Sequence, residues 1–186
     1  MYYGKKVIVR SIELSDVNDI LPYFNTLEYR RTIGGVLPYT KEQEEEWIKS
    51  TWEGRMKGNS YIFGIALPDN RLIGTVSLFK VDKIHKNAEL GIGIHDPNDR
   101  GKGYGTDAVL TICAFGFLHL NLHSIYLRYI VHNKRGARAY QKAGFTETGI
   151  ERDMIFRDGK YHNFVRMDIL EKEFFEKFPD YTLYKP

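Results

Sequence analysis

Apolar and polar positions alternate along several short stretches of this chain and recur at helical spacing along others. Lys6 to Ile12 is short and β-branched, which predicts a strand, and Ser15 with Asp16 offers a cap for a helix carrying Ile20, Leu21 and Phe24. Gly34, Gly35 and Pro38 break the chain. Thr40 to Gln43 then reads as a capping box opening a polar helix with Trp47, Ile48 and Trp52, and the Ile33 to Tyr39 loop before it is expected near substrate. Tyr61 to Leu67 is a continuous apolar run and Pro68 to Arg71 supplies a turn. Leu72, Gly74, Val76 and Leu78 alternate after it, so an antiparallel hairpin is predicted.

Ala88 to His95 reads as a strand with Leu90, Ile92 and Ile94 on one face and Glu89, Gly91, Gly93 and His95 on the other. Glycines weaken a strand, so Gly91 and Gly93 imply a bulge or a close neighbour against bare backbone, such as a cofactor arm. Ala108, Val109, Ile112, Cys113 and Gly116 recur at helical spacing, with Asp107 in the first turn, where the helix dipole favours a carboxylate. Ile125 to Val131 is the next strand, which makes strand, glycine turn, helix and strand one βαβ crossover. Asn133 caps a helix that ends at Gly144, Thr146 to Phe156 and Tyr161 to Ile169 form a hairpin around Asp158-Gly159, and Glu171 to Phe178 is a tail helix. The pattern is that of an α+β domain with a mixed, mostly antiparallel sheet flanked by helices. A single domain over residues 1–186 is expected, with no repeat or linker.

Composition narrows the class. The net charge of +3 comes from 27 basic and 24 acidic residues spread along the chain, which argues against a nucleic-acid surface and suits an anionic cofactor equally well. Cys113 is the only cysteine, so an internal disulfide and a cysteine zinc cluster are excluded, and its apolar helical position marks it as packing. His119 and His123 have metal-ligand spacing but no third ligand, and no metal is expected. No apolar run is long enough to span a bilayer and the N-terminus has no signal-peptide core, so no membrane partner is expected and the cytoplasm is the default compartment.

The chemistry concentrates in His95 to Thr106. Gly101, Gly103 and Gly105 alternate there and can take φ > 0, the following helix points unpaired N–H groups and positive dipole into the turn, and Arg100 and Lys102 add charge. A phosphate ester would fit. The nucleoside-triphosphate loop fails, because Gly103 follows Lys102 and no glycine stands at position 96; the dinucleotide fingerprint fails at Thr106. The match is R-x-x-G-x-G at Arg100, Gly103 and Gly105, which resembles the acetyl-CoA loop of the GNAT superfamily of N-acetyltransferases. A second stretch, Asn133 to Phe145, resembles that family's N-x-x-A-x-x-x-Y-x-K-x-G-F segment with Gly136 in place of the alanine. His85 to Leu90 and Arg157 to Arg166 resemble the spermidine and ribosomal-protein N-terminal acetyltransferases.

The resemblance implies a GNAT-like fold with helices on both faces of the sheet, acetyl-CoA as co-substrate, and attack of a primary amine on its thioester. It also implies a cofactor site at Ile92, Gly93, Ile94, Arg100, Gly101, Lys102, Gly103, Tyr104, Gly105, Thr106, Asn133 and Tyr140. Tyr140 occupies the position where similar enzymes place the acid that protonates the leaving thiolate. Glu89 is the leading base, by strand parity, with a water relay as the alternative, and a strand amide near Ile92 or Gly93 would stabilise charge on the thioester oxygen. The acceptor is open between a protein N-terminus and a polyamine. Glu28, Glu42, Glu45, Glu46 and Glu89 would gather around a polyamine, whereas the Gly34-Gly35 loop would suit a peptide; the basic balance favours the peptide. A homo-oligomer is compatible with this reading, as are a non-catalytic acyl-CoA sensor and a nucleotide-binding protein.

Overall fold

One mixed sheet organises the chain. Its strands are β1 (Tyr2–Tyr3), β2 (Ile8–Arg10), β3 (Ser60–Ala66), β4 (Leu72–Asp82), β5 (Asn87–Ile94), β6 (Ser124–Ile130), β7 (Thr146–Arg157) and β8 (Lys160–Leu170), in the order β1-β2-β3-β4-β5-β6-β8-β7. The structure, a computed structural model, describes residues 1–33 and 37–184. Every neighbouring pair of strands runs antiparallel except β5 and β6.

The helices are α1 (Val17–Phe24), α2 (Leu27–Ile33), α3 (Lys41–Lys57), α4 (Tyr104–Leu120), α5 (Lys134–Lys142) and α6 (Glu171–Lys177). Helix α4 lays Val109, Ile112 and Phe115 against Ile65, Val76, Leu78 and Ile125 on one face of the sheet. On the other face, Val17 and Ile20 of α1 and Ile48 of α3 close over Ile12 and Leu72. Neighbours Ile62 and Phe63 of β3 join different clusters, as side chains alternating across a strand must. The sheet thus carries helices on both faces, as expected.

Asp107 does more than complement the α4 dipole. Its buried carboxylate accepts from the backbone N–H groups of Lys5, Lys6 and Val7 at 3.0, 2.7 and 3.0 Å, tying the start of the chain to the helix that opens the glycine turn. The Thr40–Gln43 capping box forms in both directions, at 3.2 and 2.9 Å. Strand β1, only two residues long, and helix α2 were not legible in the pattern. The expected substrate loop, Ile33 to Tyr39, includes residues 34–36, which lie outside the described residues. No helix among the described residues is long and apolar enough to cross a membrane, and no group of three metal-ligating side chains occurs among them.

Candidate active site

The parallel pair that the glycine turn connects is also where the sheet opens. Strand β5 pairs with β6 only over Asn87–Glu89, yet it stays paired with β4 up to Ile94. Beyond Glu89 the β6-facing edge of β5 is therefore left to form a cleft. Ile94 O accepts from Arg100 Nε at 3.1 Å, while the next N–H, of His95, donates across to Ile73 O at 2.9 Å. Groups two apart on a strand point the same way, so Ile92 turns its N–H to the cleft and Gly93 turns toward β4.

Two cavities meet in this cleft. The smaller, about 390 Å³, is lined by the glycine turn, the start of α4 and the inner face of α5; the larger, about 780 Å³, extends toward α1, α3 and the tip of the β7–β8 hairpin. Tyr29, Ile92, Gly93, Asn133 and Tyr140 belong to both walls. These five residues are where the two cavities adjoin.

The smaller cavity gathers Ile92, Gly93, Ile94, Arg100, Gly101, Gly103, Gly105, Thr106, Asn133 and Tyr140 from the sequence reading, together with Arg135, Arg138 and Lys142. Gly101 and Gly103 hold φ of +80° and +88°, a backbone that L side chains rarely adopt. Three expectations need correction. Gly105 lies inside α4 without positive φ, and it serves by lacking a side chain beside the cavity. Lys102 and Tyr104 do not line the cavity: Lys102 reaches back to Asp99 at 3.5 Å and Tyr104 packs against the core. Arg100, the expected phosphate cation, is spent on structure, holding the carbonyls of Ile94 and His95 and pairing with Glu28. Arg135, Arg138 and Lys142 put three further cations on the same wall, and their spacing of three and four residues sets them on one face of α5.

Asn133 caps α5 by accepting from Gly136 N at 2.9 Å. A Cβ at position 136 would sit 2.6 Å from Asn133 Nδ2, so the glycine that departs from the family pattern fits this cap. Gly93 has a different neighbour from the one expected. A Cβ there would lie 2.3 Å from Tyr29 Oη, so the group pressed on bare backbone is a tyrosine of α2 rather than a cofactor arm. Tyr140 is buried with its ring between Tyr129 and Phe145, at 6.0 and 6.3 Å, and burial pushes its pKa up to about 12. It keeps its proton at neutral pH.

Glu89 lines the larger cavity as parity required, but its carboxylate is committed. Oε2 accepts from Lys80 Nζ and Oε1 from Arg128 Nε, both at 2.8 Å. Burial alone would raise its pKa; the hydrogen bonds from Lys80 and Arg128 outweigh that and hold it below the usual carboxylate range. The geometry disfavours it as a base. Sequence reasoning missed a nearer alternative in the His132 and His162 rings, whose Nε2 and Nδ1 lie 2.9 Å apart on the same wall. His162 Nε2 faces the carbonyl of Arg157 at 3.3 Å and must donate to it. In the neutral pair His162 Nδ1 then accepts from His132 Nε2, leaving His132 Nδ1 with a lone pair. Their separation by 30 residues hides the pair from any local pattern.

The family described as an "Acetyltransferase (GNAT) domain" matches residues 6–146. The chain belongs to this family. Spermidine N(1)-acetyltransferase of Vibrio cholerae is 35% identical over 106 residues, which cover 57% of this chain and 61% of that one. The chain thus spans about three fifths of the length of that relative in the sequence match. A Bacillus subtilis protein named "Probable N-acetyltransferase YjcK" is 31% identical over 179 residues, 93% of this chain and 98% of that one. Among solved structures, spermidine N-acetyltransferase from Vibrio cholerae in complex with CoA and spermine superposes with a TM-score of 0.81 at 28% identity, covering 90% of this chain and 97% of that one. Another structure of that enzyme, described as dodecameric, gives 0.75 at 26%, covering 92% and 97%. The expected GNAT fold is thereby established.

Proposed function

We propose that this chain, as one domain, is an acetyl-CoA-dependent N-acetyltransferase that moves an acetyl group to a primary amine by direct attack. The observation that carries the proposal is the meeting of two cavities at Tyr29, Ile92, Gly93, Asn133 and Tyr140. The smaller suits the co-substrate: an open glycine turn at a helix start and three cations on α5 complement a pyrophosphate and its flanking charges. The co-substrate supplies the activated acetyl group as a thioester.

The residues of the chain divide the remaining work. The Ile92 N–H would donate to the thioester oxygen as negative charge gathers there. The amine, cationic in water at neutral pH, must lose a proton before its lone pair can attack; His132 Nδ1 would accept it and share it through His162. Tyr140 would donate to the departing sulfur. A pKa near 12 makes a phenol a weak acid, but the burial that raises it also raises the proton affinity of a thiolate held against it. Cys113 illustrates the effect within this protein, since burial pushes its thiol well up.

A polyamine acceptor is the second reading, favoured by the names of the spermidine acetyltransferase relatives. Self-association is proposed from the dodecameric neighbour and from exposed Ile150, Met154, Phe156 and Tyr161 on the β7–β8 hairpin. The proposed compartment is the cytoplasm. Release of free CoA from acetyl-CoA, measured across peptides, amino acids and polyamines, tests the activity. Amine-dependent release is expected; tight acetyl-CoA binding without release would mark a sensor, and competition by ATP would point to a nucleotide site.

A further inference from the structure

The larger cavity carries more charge than an apolar amine needs, and its carboxylates are already engaged. Glu89 is held by Lys80 and Arg128, and Arg128 also reaches Glu151 at 3.2 Å. Asp158, the other carboxylate on the wall, is not free either. Glu28, Glu45 and Glu46 pair with Arg100, Lys41 and Lys49, and none of these glutamates, nor Glu42, lines the cavity. The acidic funnel expected for a polyamine is not assembled.

One charged group on this wall is left wanting a partner, and it is a cation. Arg157 ends β7, lines the cavity, and has a buried Nη1 with no hydrogen-bond partner among the described residues. Its burial lowers its pKa, with Asp158 partly offsetting this. Nη1 is closed off from solvent, so a ligand in the cavity meets the other N–H groups of the guanidinium, and a carboxylate supplies two oxygens in the matching planar geometry for them. The register of β7 against β8 slips between Glu151 and Ile155, a bulge beyond which Ile155, Arg157 and His162 share the cavity wall. Phe24, Trp47 and Phe79 also line this cavity, and their aromatic rings suit a methylene stem.

Resting on the acetyltransferase reading, we infer that the acceptor is a small primary amine carrying a carboxylate. Its amine reaches the junction at Ile92 and Tyr140 while its carboxylate sits on Arg157. A volume of about 780 Å³ accommodates a molecule of this size. A polyamine in the same pose would set a second ammonium against Arg157.

A matched pair of acceptors tests this: 5-aminopentanoate and 1,5-diaminopentane share a stem and differ in the charge of the far end. CoA release by the wild-type protein is expected to favour the amino acid by about 10- to 100-fold in kcat/KM, the range for one charge-assisted pair. Arg157→Gln should raise KM for the amino acid by a similar factor while kcat stays within a few-fold, and Arg157→Glu should reverse the preference. Rising salt offers a check without any variant, because it should raise KM for the amino acid and lower it for the diamine. A wild-type preference for the diamine, or an unchanged KM in Arg157→Gln, overturns the inference. Turnover of spermidine or a peptide with neither test amine also overturns it, leaving the acetyltransferase reading intact. No CoA release with any amine removes that reading and this inference together.

Discussion

The two cavities are built in different ways. The smaller is walled mainly by two local segments, residues 92–109 and 133–142, whereas the larger draws on α1, α3, β3, β4, β5, β6 and the β7–β8 hairpin. Polar satisfaction differs as well. Arg157 Nη1, Glu44 Oε1 and both ring nitrogens of His95 are buried without partners; of these residues Arg157 lines the larger cavity, and Glu44 and His95 line neither. No residue lining the smaller cavity has such an atom among the described residues. The smaller cavity is finished by backbone geometry, while the larger holds unmet polarity at Arg157, as expected where specificity is set.

The largest effect should come from Tyr140, one of the five residues that both cavities share. Tyr140→Phe keeps the packing ring and removes the proton, so turnover should fall on the order of 10²- to 10⁴-fold with acetyl-CoA affinity nearly unchanged. His132→Ala should fall toward the lower end of that range, whereas Glu89→Gln should lose less than about tenfold, because Glu89 holds cations rather than moving protons. Steady-state kinetics with calorimetry separates these outcomes, and a larger loss in Glu89→Gln than in His132→Ala would reverse the assignment of the base.

Next in size are changes confined to the smaller cavity. Arg135→Ala with Arg138→Ala should weaken acetyl-CoA binding by about 10- to 100-fold, the range for lost charged hydrogen bonds, and leave kcat at saturation within a few-fold. Gly103→Val should also weaken binding, with a lower Tm, because the φ of +88° is strained for any β-carbon and Lys6 Nζ lies 3.2 Å from where it would be. If these substitutions altered acceptor choice, the division between the cavities would be wrong.

The smallest effect concerns stability and comes from a residue that lines neither cavity. Burial raises the pKa of Glu44 from 4.5 to about 7. Below pH 4.5 the group is neutral in folded and unfolded chains alike and costs nothing; as pH rises from there through about 7, the unfolded chain ionises first and stability is lost. Glu44→Gln should therefore stabilise the fold by about 1–3 kcal/mol at pH 8 and by little at pH 4, as read by urea unfolding. An equal gain at both pH values would show that the carboxyl is not the cause.

The same contrast explains what could be read before folding. Periodicity located most of the strands and helices, and the turn at 101–105 and the Asn133 cap announced themselves because each is a contiguous motif whose chemistry is its local backbone. Tyr29, Arg157 and the His132–His162 pair gave no such sign: they meet only after the chain closes. Arg100 misled for the same reason, since its motif position suggested phosphate while its partners, Glu28 and the Ile94 and His95 carbonyls, became visible only in three dimensions. Arg135, Arg138 and Lys142 were within reach, given the helix predicted there, through their shared face.

A crystal structure with acetyl-CoA bound decides whether acetyl transfer occurs where the cavities meet. The pyrophosphate is expected at Gly101–Gly105 beside Arg135 and Arg138, the thioester oxygen within hydrogen-bond distance of Ile92 N, and the sulfur next to Tyr140 Oη. A thioester lying away from Tyr140, or an acyl chain that never enters the junction, would contradict that placement.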